Sequence, residues 1–112
     1  MKSVLAIVAL LASTSVAAEC ELPQAPTIPD GSTQELAAMV EGQKAVKAYM
    51  KSSEEYLSCL DSAGMNATGD ETEEQAAERE SRVDAYNAEV DTQHAIAGDW
   101  SRELKEYKEK NK

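Results

Sequence analysis

Two cysteines, one histidine and a surplus of carboxylates carry what chemistry this chain has to offer. His94 is the sole imidazole, with Glu89, Asp91 and Asp99 close by in sequence. A specific metal centre needs several converging ligands of fixed geometry. One histidine among scattered carboxylates gives no such shell, so His94 is read as a surface residue, and any metal binding is expected to be weak and non-specific. Asp70 to Glu74, with Glu78 and Glu80, form an acidic stretch. They lack the alternating spacing of a calcium loop, and acids at a helix start complement the helix dipole. Asn66-Ala67-Thr68 fits a glycosylation sequon, which matters only in a eukaryotic secretory route. No nucleophile elbow, phosphate-cradling glycine loop or zinc-protease motif is present. The expectation is a protein that is no enzyme, with no catalytic residue, cofactor or metal ligand to assign. Cys20 and Cys59 are a different matter: two cysteines in an exported chain pair by default.

Export is read from the start of the chain. Lys2 is followed by an apolar run, Val4 to Ala12, and then by Val16-Ala17-Ala18. That is the charged, apolar and small-residue order of a cleavable signal peptide, here residues 1–18, and the run is too short to span a bilayer. Glu19 stands before Cys20, where a lipidation signal wants a small residue. The expected mature chain therefore begins at Glu19, without a membrane span, and is periplasmic or secreted. Its formal charge moves from −10 to −11 with the loss of Lys2. That charge repels nucleic acid and anionic lipid and favours basic partners. Four tyrosines and one tryptophan, with no phenylalanine, make a thin core. Small domains with thin cores rely on a covalent staple.

The elements that hold these residues are helices. Residues 19–31 contain Pro23, Pro26 and Pro29 and read as an extended strap. Ser32 with Glu35, and Thr72 with Gln75, each have capping-box spacing. They open helices expected at about 32–62 and 72–108, joined by a glycine-containing turn. Heptad positions in the first run through Leu36, Met39, Gln43, Val46, Met50, Ser53, Leu57 and Leu60. Those in the second run through Ala76, Arg79, Val83, Tyr86, Val90, Gln93, Ala97, Trp100, Leu104 and Tyr107. The fold class expected is all-α, an antiparallel, coiled-coil-like two-helix hairpin over 32–112. Folding symmetrically about the turn would set Leu60 near residue 72, Ser53 opposite Arg79, Gln43 opposite Val90 and Leu36 opposite Ile96.

Prolines every third residue share one face of a polyproline II helix. Tyr49 and Tyr56, seven apart, share one face of the first helix. From Ser32 back to Cys20 is twelve residues, roughly 37 Å in polyproline II. From Ser32 on to Cys59 is twenty-seven, roughly 40 Å in an α-helix. A strap folded back along the helix therefore brings the two cysteines together. It sets Pro23 between Tyr56 and Tyr49, Pro26 between Tyr49 and Gly42, and Pro29 at the helix start.

Prolines at three on tyrosines at seven resemble the polyproline–helix hairpin of the pancreatic-polypeptide hormones, over residues 23–56. The resemblance implies packing and no hormone function. The Cys-x-x-Pro-x-x-Pro-x-x-Pro start (Cys20 to Pro29), the Gln-x-Ala-Val-Lys-x-Tyr helix (Gln43 to Tyr49) and the Tyr-Leu-x-Cys-Leu end (Tyr56 to Leu60) also resemble small secreted proteins of proteobacteria. That resemblance implies export and brings no assigned activity. The functional expectation is an exported interaction or structural protein that binds a basic protein or other cationic partner through acidic helical faces, or joins a second copy as a homodimer. The alternatives are a cation-binding or buffering protein and an inhibitor of a basic secreted enzyme.

Overall fold

A computed structural model describes residues 20–112; the expected signal peptide lies outside the described residues. Two helices make up the regular structure: α1, Leu36–Ala63, and α2, Glu73–Lys110. No strand occurs among the described residues. The helices pack antiparallel, and residues 20–30 run extended along α1 to the Cys20–Cys59 disulfide, whose Cα atoms are 5.6 Å apart.

The two helix starts differ. Thr72 caps α2 as its sequence predicts: its hydroxyl accepts from the Gln75 N–H, and the Gln75 side chain accepts from the Thr72 N–H. Glu73 and Glu74 in the first turn, and Lys108 and Lys110 in the last, suit the dipole. Ser32 caps nothing. Asp30 takes both its backbone N–H, at 3.0 Å, and its hydroxyl, at 2.6 Å. The backbone N–H groups of Thr33 and Gln34 close onto the Asp30 carbonyl. This local turn outcompetes the capping box, and α1 begins at Leu36 rather than at 32.

The buried stripe of α1 is Met39, Gly42, Val46, Tyr49, Ser53, Tyr56 and Leu60. Half of the expected seam is thus in place, and Gly42, Tyr49 and Tyr56 replace Leu36, Gln43, Met50 and Leu57. The same rotation occurs in α2. Arg82, Glu89 and Ile96 are its buried residues, while Val83, Val90 and Leu104 are only half-buried and Ala97 is exposed. Hydropathy favours Val83 and Val90 for the seam; hydrogen bonding decides for Arg82 and Glu89.

The pairing between helices lies about ten residues from the symmetric expectation. Ser53 meets Glu89 and Gln93, not Arg79. Gly42 lies against Trp100. The cluster of Cys20, Tyr56 and Leu60 packs on Ala85 and Tyr86. The connection causes this shift. It folds back along the first turns of α2, where Arg79 makes two hydrogen bonds to Glu71, at 2.9 and 3.1 Å, and Arg82 Nε donates to the Gly64 carbonyl at 2.6 Å. These turns of α2 are therefore occupied by the connection, and α1 meets α2 beyond them.

Candidate functional site

Three places gather polar or recognisable groups. The first is buried between the helices. Tyr49 and Ser53, one turn apart on α1, both donate to Glu89 Oε1, the serine at 2.6 Å. Gln93, one turn after Glu89, donates to Ser53 Oγ at 2.8 Å. Burial, and then the neighbouring Glu89, push the Tyr49 phenol up to about 12. Tyr56 is raised for the same two reasons. A serine bonded to a carboxyl has the partners of a nucleophile and base, but Ser53 is 0% exposed and Glu89 5%. No substrate reaches either, so the cluster serves to fix the pairing of the helices. No buried side-chain nitrogen or oxygen among the described residues lacks a hydrogen-bond partner.

The second is a groove of about 800 Å³ between strap and helix, bordered by Pro23, Pro26, Ala45, Tyr49, Ser52 and Tyr56. Strap and helix therefore lie side by side, with two prolines and both tyrosines on one cleft. Pro29 sits on Gly42: a Cβ there would lie 2.6 Å from the proline Cγ and 3.2 Å from the Trp100 ring. The strap reaches this point rather than the helix start because α1 begins late and residues 31–35 fill the space before it. Ile28 and Trp100 close this end against Val46, Tyr49 and Ile96.

The third place is the strap turn, where Asp30, Glu103 and Glu106 bring carboxylate oxygens within 4.8 Å of one another. Gly31 makes this approach possible. It is buried against α2, and a Cβ there would fall 1.7 Å from the Glu103 carbonyl oxygen. Its N–H donates to Glu103 Oε1 at 3.3 Å. Glu103 beside it, and then slight desolvation and Asp30, hold the Glu106 carboxyl above its usual range; Arg102 acts the other way. Arg102 is shared with Asp99 at 3.2 Å and Glu103 at 3.4 Å. The hydrogen bonds of Ser32 lower Asp30.

His94 belongs to none of these places and is exposed on α2. Asp70, Glu73 and Glu74 sit exposed at the α2 start. The strap-turn cluster escapes a reading of the sequence because Asp30 is more than seventy residues from Glu103 and Glu106. Only the strap's return and the late start of α1 bring them together. No helix among the described residues is long and apolar enough to cross a membrane. No known family model matches the chain, and comparisons with characterised proteins and with solved structures find no significant match.

Proposed function

We propose that this is an exported binding protein, non-catalytic, which takes a cationic group of a basic protein partner at its acidic strap turn. The observation that carries the reading is the three-carboxyl cluster of Asp30, Glu103 and Glu106, in which the Glu106 carboxyl is raised by its acidic neighbours. A lysine or arginine side chain arriving there would relieve that repulsion, and the strongly negative net charge of the chain would steer it in. The disulfide and the signal-like first eighteen residues support an extracellular or periplasmic setting, as does the resemblance to small secreted proteobacterial proteins.

The test is capture of basic proteins from envelope extract by immobilised mature chain, compared with Asp30→Asn/Glu103→Gln/Glu106→Gln. The variant keeps hydrogen-bond acceptors and removes charge. Several-fold lower retention, with steep salt dependence for the wild type, is expected. Equal retention by both proteins would contradict the reading. The same spacing of carboxylates supports a second reading, a weak divalent-cation site. Calorimetry with calcium carried into the millimolar range separates the two: the cation reading predicts a saturable heat that is lost in the triple variant, and the partner reading predicts none.

A further inference from the structure

The acids of this chain are unevenly placed, and the gap they leave has the shape of an interface. On α2, one flank consists of positions 83, 87, 90, 94, 97, 101, 104 and 108. These are Val83, Asn87, Val90, His94, Ala97, Ser101, Leu104 and Lys108, with no acid among them. Yet six acids lie elsewhere on α2 between Asp84 and Glu106, in a chain carrying twenty-one. The helix pairing described above turns this flank to the same side of the hairpin as the α1 stripe of Leu36, Gln43, Met50 and Leu57. The strap and the carboxyl cluster lie on the opposite side, against Ala85, Asp99 and Glu106. Leu36 is 60% exposed and Val40, one turn on, 40%. Met50, Leu57, Val83, Val90 and Leu104 are half-buried.

We infer that this acid-poor face is where a second copy of the chain docks, giving an antiparallel four-helix bundle. Three features select that occupant. A basic partner finds little negative charge here. A second copy can meet face to face with the α2 acids turned away and Glu54, on the α1 edge, set against a lysine, so most of the repulsion expected between two such acidic chains is kept at a distance. The face is also large enough. Two helices side by side over some twenty residues offer roughly 700 Å², close to the ~800 Å² per partner of a standard interface. Finally, the charges on the α1 flank are self-complementary. Exposed Lys47 and Glu54 lie on either side of Met50. A two-fold axis crossing α1 beside Met50 sets Lys47 of each copy against Glu54 of the other, twice per dimer. It also sets Val90 of each copy against the His94 flank of the other, with every neighbouring pair of helices antiparallel.

Sedimentation equilibrium on the mature chain tests this. The wild type should show twice the chain mass at high micromolar concentration. Lys47→Glu and Glu54→Lys each place like charges together at two symmetric contacts, and each should weaken the dimer about tenfold. The combined variant exchanges the signs and should restore it. Both residues are exposed, and circular dichroism melting checks that each variant stays folded. A wild type that remains monomeric overturns the inference. So does a dimer indifferent to the single changes, or one that the combined variant fails to restore. A monomer that instead sediments with anionic phospholipid vesicles would assign the face to a membrane surface and also overturn it.

Discussion

At the residue scale the decisive side chain is Glu89, a carboxyl almost out of contact with water and satisfied by Tyr49 and Ser53. Losing one of those donors leaves it short of a partner. Tyr49→Phe should therefore destabilise the fold by about 1–3 kcal/mol in denaturant unfolding at neutral pH. The phenol has a second signature. Its value of about 12 in the fold stands above the ordinary 10 of an unfolded chain. The folded state thus holds a proton that the unfolded state releases first. This contribution is fully present below pH 10 and is lost as pH rises through 12. Wild-type stability should fall across that window, and Tyr49→Phe should flatten the fall, leaving the smaller share due to Tyr56. An unchanged slope in the variant would remove the phenol from the account. None of this is visible in heptad positions. A glutamate ranks as a surface residue by type, and its burial follows from two donors placed by a helix 36 residues or more away in sequence.

At the element scale the fold depends on close approach between strap and helix. Gly42 shows it best. Alanine in a helix interior ordinarily stabilises by up to about 1 kcal/mol relative to glycine. Here its methyl would meet Pro29 at 2.6 Å and the Trp100 ring at 3.2 Å. The strap would have to lift, at a cost typical of overpacking, about 1–3 kcal/mol. Gly42→Ala should therefore come out net destabilising; a stabilised variant would show that the strap is not seated there. The extended strap and the two helices are legible in the sequence, from proline spacing, tyrosine spacing and a periodic apolar pattern. The α2 cap is legible too, because Thr72 and Gln75 have no local competitor. The α1 start is not, because Asp30 bonds the Ser32 hydroxyl that was expected to cap it. Nor is the helix pairing. That depends on how far the connection folds back on α2, and Arg82 reaching the Gly64 carbonyl is a contact no local pattern announces.

At the scale of the whole molecule, the strap and the two helices share a thin core of two buried clusters. Cys20, Tyr56 and Leu60 form one buried cluster; Val46, Tyr49 and Ile96 form the other. In each, a tyrosine of α1 sits where strap and helix meet, so strap docking and hairpin packing are coupled. The disulfide closes a sequence separation of 39 residues across this arrangement. Such a closure stabilises by roughly 3–4 kcal/mol, a large share of what a domain of this size possesses. The central claim is that the strap belongs to the fold and is not a tethered tail. A double-mutant cycle of Tyr56→Ala with Cys20→Ser/Cys59→Ser, followed by denaturant unfolding of residues 19–112, tests it most directly. Removing the bridge should lower stability by about 2–4 kcal/mol. Removing the ring should lower it further, but the two losses together should fall short of their sum, because both act on one docking event. Full additivity, or a chain as stable without its disulfide as with it, would contradict the claim.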